Sequence, residues 1–119
     1  MAKDTLVTLR DEIRDFAKAR DWEQFHTPKN LVMALNIEVA EIMEHFQWLT
    51  PQQSKSITAV KREEVSQEIG DVLIYLIRLA DVLEIDPVAA AATKIKLNEI
   101  KYPVEKSRGI ALKYTELDH

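Results

Sequence analysis

The sequence predicts an all-α protein, a four-helix bundle-like protomer that assembles into a homo-oligomer. Apolar residues recur at helical spacing along four long segments, and no segment has the period-two alternation of a strand. Two segments also begin with a capping residue followed by proline, at Thr27-Pro28 and Asp86-Pro87. With 119 residues, 46% of them hydrophobic, the chain is expected to form one domain over residues 1–119, in which 104–119 is a C-terminal tail.

Each predicted helix has its own start and stop signals. Asp4 or Thr5 is expected to cap the first helix, an aromatic connector follows it, and Thr50-Pro51 ends the second helix. The polar stretch 52–58 is typical of a loop or short turn, and Tyr102-Pro103 stops the fourth helix. The expected helices are about 5–20, 27–49, 59–84 and 86–101, and the connector is 22–28.

Charge and composition exclude several classes of protein. The net charge of −4 at pH 7 argues against binding to a nucleic acid polymer, which favours a basic surface. The chain has no cysteine, so disulfides and thiolate chemistry are excluded. The longest apolar run, 72–77, is far below the roughly 20 residues of a membrane span, and the N-terminus lacks the pattern of a signal peptide. We expect a soluble, cytoplasmic protein.

Two pairs of acids stand out on the second and third helices. Glu38 and Glu41 are three residues apart, as are Glu68 and Asp71, so each pair lies on one helix face. Helical periodicity places Glu38 within the apolar stripe of its helix, so that its carboxylate is expected to be buried. On the third helix the acids and Tyr75 are expected at the edge of a stripe formed by Val65, Ile69, Val72, Leu76, Leu79 and Leu83.

Clustered carboxylates need a compensating cation. An isolated pair of this kind is more often a solvated helix face, and salt bridges to Lys61, Arg62 or Arg78 are an open alternative. Two matched pairs on helices that are apolar nearly all round favour a metal site instead. Oxygen ligands suit Mg²⁺, with Mn²⁺ as the second choice, and both ions bind phosphates. A di-iron site would need a Glu-x-x-His motif on each of two helices, which the sequence lacks.

The chain lacks a glycine-rich phosphate loop and a confident Ser-His-Asp arrangement, so hydrolysis would use water activated by a metal. The four-acid pattern resembles the metal motif of the MazG-like all-α nucleoside triphosphate pyrophosphohydrolases. Further segments are similar to the dCTP pyrophosphatase branch of that family. They are 20–26, 46–48, 71–76, the Lys94-x-x-x-Asn98-x-x-x-Tyr102-Pro103 pattern, and 107–109.

The resemblance implies roles for individual residues. It implies Mg²⁺ ligation by the acids Glu38, Glu41, Glu68 and Asp71, which form the catalytic set. It implies a nucleoside pocket shaped by Trp22, His26, Trp48 and Tyr75, and contacts to phosphate or sugar from Lys94, Asn98 and Tyr102. It also implies cleavage between the α and β phosphates and a tetramer built from dimers. The connector 50–60 departs from the branch, which leaves the base preference open.

Three hypotheses follow. The first is a Mg²⁺-dependent enzyme that hydrolyses dCTP or a modified dCTP to the monophosphate and pyrophosphate, which would remove such nucleotides from the pool. The second is a related enzyme with a broader or different nucleotide range. The third is a non-enzymatic helical interaction module whose acids are structural.

Overall fold

The computed structural model describes residues 5–117 and confirms the all-α class. Those residues form six α-helices, two single-turn 3₁₀ helices and no strand. The α-helices are α1 (Leu6–Ala19), α2 (Pro28–Phe46), α3 (Pro51–Ser54), α4 (Ala59–Val82), α5 (Pro87–Lys101) and α6 (Val104–Ser107), and the 3₁₀ helices are Glu23–Phe25 and Tyr114–Glu116.

Side-chain caps fix where five of these helices begin. In each case the residue before the helix accepts a hydrogen bond from a backbone N–H of the first turn, and such a cap contributes about 1 kcal/mol. Thr5 fills this role for α1, while Asp4 lies outside the described residues. Proline occupies the first turn of three of these helices. The caps are Thr5, Thr27, Thr50, Thr58 and Asp86.

Two predicted helix ends and part of one predicted loop were wrong. Helix α2 ends at Phe46 rather than near Leu49, and α4 ends at Val82 rather than near Glu84. Residues 51–54 form a short helix, because Thr50 starts a new helix as well as following the old one, and only residues 55–58 of the predicted loop are non-helical. The Thr50 hydroxyl accepts from the N–H of Gln53, and the Gln53 side chain accepts from the N–H of Thr50.

The structure contains two compact units, one up to Ile85 and one from Asp86 onward. In the first unit α4 is the central element and packs against α1 and, more extensively, against α2. The single domain over 1–119 stays a prediction, and the unit boundary falls before α5 rather than at the predicted tail. The buried apolar residues of the first unit are Ile13, Ala17, Leu31, Val65, Ile77 and Ala80.

The inward face of α4 differs from the predicted one. Ile69, Leu76 and Leu83 are 53%, 44% and 46% exposed, although periodicity assigned them to the core. Val65, Val72 and Leu79 of the predicted stripe are buried or half-buried, and the half-buried Glu68 and Tyr75 lie beside them at spacings of three and four. The buried residues of α4 are Val65, Ile77, Arg78 and Ala80. Helix α4 is apolar on two faces, and only one of them meets α1 and α2.

In the second unit, α5 and the C-terminal segment are joined by aromatic contacts. The rings of Tyr102 and Tyr114 meet edge to face with centroids 6.1 Å apart, and the Nζ atom of Lys101 lies 4.9 Å from the centre of the Tyr114 ring. The predicted tail is thus structured over 104–107 and 114–116. No helix of the described residues is long and apolar enough to cross a membrane.

Candidate active site

The two acid pairs lie on α2 and α4, which pack against each other. Glu38, Glu41 and Glu68 are half-buried, whereas Asp71 is exposed. Burial raises the pKa of Glu38, and so do hydrogen bonding with the Glu41 carboxyl and the charges of Glu41, Asp71 and Glu68. The carboxylates of Glu41, Glu68 and Asp71 are therefore close enough to Glu38 to act on it electrostatically.

The counter-charge expected from lysine or arginine is missing from the described residues. No Lys or Arg there forms an ion pair with Glu38, Glu41, Glu68 or Asp71, and Lys61 pairs with Glu64 instead. The nearest basic group is His45 on α2, whose Nε2 lies 2.6 Å from Oε2 of Glu68. The Oε2 atom of Glu68 is buried. His45 lies within contact distance of it, but the geometry of the contact does not meet the angles of a hydrogen bond.

The side-chain oxygens of the four acids do not converge on one point. Among residues 5–117, no three His, Asp or Glu side chains converge tightly enough to enclose an ion. The donor chemistry still suits a hard divalent cation, because every candidate atom is a carboxylate oxygen.

A cavity of about 270 Å³ opens between α1, the aromatic connector and α4. Helix α4 contributes Asp71, Tyr75 and Arg78, which are spaced so that they share one face of the helix. Seven residues of an α-helix rise about 10 Å, so Asp71 and Arg78 mark two ends of one wall. The full lining is Ile13, Phe16, Ala17, Trp22, His26, Asp71, Ile74, Tyr75 and Arg78.

The aromatic connector supplies a second wall of this cavity. Trp22 meets the ring of Phe16 edge to face at 5.7 Å and the ring of His26 at 6.5 Å. The single-turn helix Glu23–Phe25 makes the reversal between α1 and α2. Asp21 enables it with a φ of 54°, the left-handed conformation that ends many helices.

Arg78 is the one buried charged residue of the described chain, at 6% exposure. Its Nε–H donates to Nδ1 of His26 at 3.0 Å, and its Nη1 lies 3.4 Å from Oδ2 of Asp81. Burial lowers the pKa of His26, and the positive charge of Arg78 lowers it further. His26 is therefore a neutral imidazole near pH 7.

Of the predicted site residues, Trp22, His26, Tyr75 and Asp71 line the cavity. Trp48 does not, and its side chain is 87% exposed. Helix α2, which separates the two tryptophans along the chain, has 19 residues and so is about 28 Å long. In the second unit, Lys94 and Asn98 are exposed on α5 and Tyr102 follows its last turn. The roles of all the predicted site residues stay predictions.

Sequence reasoning did not assign Phe16 or His45 to the site, and it named Arg78 only as a possible salt-bridge partner of the acids. A helical projection could have indicated Arg78 and His45, because Arg78 lies seven residues after Asp71 and His45 lies four after Glu41. Phe16 is 50% exposed and lines the cavity.

Comparison with known proteins identifies the class. Residues 33–117 match the MazG-like family, and the chain belongs to that family. It is 42% identical over 117 residues to dCTP pyrophosphatase 1 of Bos taurus, with 97% of this chain and 69% of the relative covered. The Homo sapiens protein of the same name is 41% identical with the same coverage.

A solved structure is also similar. A pyrophosphatase from Archaeoglobus fulgidus is 46% identical, with a TM-score of 0.75 over 78% of this chain and 87% of that one. Membership of the family implies a requirement for a divalent metal ion. The four carboxylates suit such an ion in chemistry and charge, and no Lys or Arg of the described residues forms an ion pair that would neutralise them.

Proposed function

We propose that the chain is a Mg²⁺-dependent nucleoside triphosphate pyrophosphohydrolase that acts on dCTP or a modified dCTP. The products would be the nucleoside monophosphate and pyrophosphate. The relatives named dCTP pyrophosphatase 1 support this substrate, because they align with almost the whole chain. In the cell the reaction would remove these triphosphates from the nucleotide pool, and we propose that it takes place in the cytoplasm.

The composition of the cavity wall is the main structural support for this proposal. Asp71, Tyr75 and Arg78 share a wall of the cavity, so a candidate metal ligand and an aromatic pocket belong to the same space. The distance of about 10 Å along this wall suits a nucleotide whose phosphates lie near the acids and whose base lies near Trp22 and His26.

In the proposed reaction, Glu38, Glu41, Glu68 and Asp71 hold Mg²⁺, with Mn²⁺ as an alternative. The bound ion supplies charge neutralisation of the phosphates and a more acidic water. The water oxygen bonds to phosphorus, the α–β phosphoanhydride bond breaks, and the bridging oxygen leaves with one of the two products. Glu38 and Glu41 are the candidates for accepting the proton of the water.

The remaining residues bind the substrate. Trp22, His26 and Tyr75 would contact the nucleoside, and their rings line the cavity. Trp48 is proposed to contact the base, and Lys94, Asn98 and Tyr102 to contact phosphate or sugar, on the basis of the motifs they occupy.

A related enzyme with a different base preference is the second candidate. The Archaeoglobus fulgidus structure is described as a pyrophosphatase, without a named base, and it is 46% identical to this chain. The connector between α2 and α4, which contains α3, departs from the dCTP branch and could border the base.

The test is release of pyrophosphate from a panel of the common nucleoside and deoxynucleoside triphosphates, with and without Mg²⁺. We expect dCTP to give the highest kcat/KM and no turnover in EDTA. Glu41→Gln and Asp71→Asn should each reduce kcat at least about 100-fold while the helical circular dichroism is kept. Glu44→Gln is the matched control, since Glu44 is an exposed acid on the same helix as Glu41. Turnover near wild type in either acid variant would contradict the metal assignment.

We also propose that the protein is a homo-oligomer, a tetramer built from dimers. Large apolar side chains are exposed on both acid-bearing helices, including Met33 at 56%, Ile37 at 58% and Ile69 at 53%. An apolar surface of this extent is typical of an interface between subunits.

A further inference from the structure

A side-chain hydrogen bond in the cavity wall joins Arg78 to His26. Both residues line the cavity, and the Nε–H of Arg78 donates to Nδ1 of His26 at 3.0 Å. A guanidinium has donors only and cannot accept a hydrogen bond. The Nδ1 atom of His26 must therefore be the acceptor in this pair and cannot carry a proton.

A neutral imidazole has one protonated nitrogen and one acceptor nitrogen. Since Nδ1 accepts from Arg78, the proton resides on Nε2. Within residues 5–117, Nε2 of His26 has no hydrogen-bond partner, and the ring lines the cavity. The nitrogen left for a ligand is thus a donor.

The guanidinium of Arg78 also contacts Asp81, whose carboxylate binds Arg14. Asp81 lies 3.4 Å from Nη1 of Arg78 and is fixed in turn by a two-point contact with Arg14, at 2.6 Å and 3.0 Å. Arg14 reaches Asp81 from α1, and Arg78 and Asp81 lie one turn apart on α4. The orientation of His26 is therefore set by a chain of contacts anchored on two packed helices.

We propose that Arg78 is a positioning residue that holds His26 in the Nε2–H tautomer, so that the cavity presents a fixed hydrogen-bond donor to the base of the nucleotide. This rests on the proposed function. Cytosine offers acceptors at O2 and N3, whereas thymine and uracil carry a proton at N3. A fixed donor that meets N3 therefore favours cytosine, whereas a donor that meets O2 would be accepted by all three bases.

The tautomer can be measured without any substrate. In wild-type enzyme saturated with Mg²⁺ and labelled with ¹⁵N-histidine, two-bond ¹⁵N–¹H correlations at pH 7.5 report which ring nitrogen carries the proton. The chain has 3 histidines, and His26→Gln assigns the signal of His26 by its disappearance. We expect a protonated Nε2 and an acceptor Nδ1. A protonated Nδ1, or an averaged mixture of the two tautomers, would overturn the proposal.

The variant Arg78→Met removes the donor and keeps the apolar stem. We expect the His26 signal to become an average of tautomers, and the KM for dCTP to rise roughly 3- to 10-fold, the size of one neutral hydrogen bond, with kcat within about twofold. Arg62→Met is the matched control, because Arg62 is an exposed arginine of the same helix and lies outside this chain of contacts. It should keep the tautomer and the KM. A loss of kcat with unchanged KM in Arg78→Met would overturn the proposal and assign Arg78 to the phosphates.

A second pair of variants tests whether Nε2 of His26 is a donor if Arg78→Met does not fold. His26→Gln can place an amide N–H near the position of Nε2, whereas the shorter His26→Asn cannot reach it. We expect the KM for dCTP to rise in both variants, because both lose the imidazole ring, and to be roughly 3- to 10-fold higher in His26→Asn than in His26→Gln. Equal KM values in the two variants would count against a donor at Nε2. Failure of the wild type to hydrolyse dCTP would contradict the proposed function alone, because the tautomer is read in the absence of nucleotide.

Discussion

Arg14 and Asp81 form a two-point ion pair, 2.6 Å and 3.0 Å long, between residues 67 positions apart in the chain. The pair joins α1 to the C-terminal part of α4, on the side of α4 that carries Arg78. Hydrogen bonding to Arg14 lowers the pKa of Asp81, and the charges of Arg14 and Arg78 act in the same direction. The contact therefore stabilises the ionised carboxylate in the folded state.

The first prediction concerns Asp81→Asn, which leaves the buried Arg78 without a carboxylate. We expect the free energy of unfolding to fall by about 1–3 kcal/mol, the cost of a buried donor that loses its partner. Because the folded pKa of Asp81 lies below its ordinary value of 3.8, this stability is present above pH 3.8 and is lost as the pH falls through the folded pKa.

Urea unfolding between pH 7 and pH 3 checks this prediction. Wild type should lose more stability on acidification than Asp81→Asn, so the difference between them should shrink. Glu12→Gln is the control, since Glu12 is an exposed acid on α1. Two curves that remain parallel down to pH 3 would contradict the role of the ion pair.

The second prediction concerns Glu38→Gln in the absence of metal. Burial and neighbouring carboxylates raise the pKa of Glu38, so its ionised form is disfavoured in the folded protein. This group costs stability as the pH rises from its ordinary value of 4.5 through the folded pKa, and no such cost applies well below 4.5. In EDTA at pH 7, we expect Glu38→Gln to melt at a higher temperature than wild type.

Addition of Mg²⁺ should reverse that order. A ligand at 100 times its Kd stabilises the folded state by about 2.7 kcal/mol, and the variant has lost one of the proposed ligands. Differential scanning fluorimetry with EDTA and with millimolar Mg²⁺ measures both effects. Equal shifts with Mg²⁺ in wild type and variant would argue that Glu38 does not bind the ion.

The third prediction separates the two tryptophans. Stacking of a base on an aromatic ring is worth roughly 1–3 kcal/mol, so Trp22→Ala should raise the KM for dCTP about 5- to 150-fold. The same rise is predicted for Trp48→Ala from its motif, although in the single chain its ring lies outside the cavity. Neither variant should alter stabilisation by Mg²⁺ alone.

Tryptophan fluorescence can show which of the two indole rings contacts dCTP. The chain has 2 tryptophans, so Trp48→Ala reports Trp22 alone and Trp22→Ala reports Trp48 alone. Quenching by dCTP in Trp48→Ala is the expected result. Its absence, with a normal KM, would make Trp22 a structural residue.

The fourth prediction concerns assembly. Leu76 is 44% exposed on the face of α4 that α1 and α2 leave uncovered. If copies of the chain meet there, Leu76→Glu should produce smaller species in sedimentation velocity at micromolar concentration. Gln67→Glu adds the same charge at an exposed polar position of α4 and should not. A stable wild-type monomer under these conditions would refute the proposal.

The sequence predicted the starts of the long helices better than their ends, because the start signals are local. A capping hydroxyl, a proline and a few periodic apolar residues act within one or two turns, and Thr27 and Asp86 begin helices where expected. The inward face of α4 was harder, because Ile69 and Val65 are equally apolar and only tertiary packing decides which is covered. A helix that is apolar on two faces does not specify its neighbour.

The roles of the predicted site residues stay predictions, but several of their positions could be predicted. The four acids could be placed on two helices from their spacing, and Trp22, His26 and Tyr75 could be chosen for a common pocket from the motifs that contain them. The contact between Arg78 and His26 could not, because it joins residues 52 positions apart through one hydrogen bond. Contacts of that kind depend on how α4 is rotated against the connector.

The two halves of the acid cluster come from helices that are neighbours in the chain, with only residues 47–58 between α2 and α4. Closing so short a loop costs little entropy, so this helix pair is expected to form early in folding. The carboxylates that would bind the metal are then brought together before most of the remaining chain has packed. Their mutual repulsion opposes the step that starts folding, and a divalent cation in the medium would act on the rate of folding as well as on the finished enzyme.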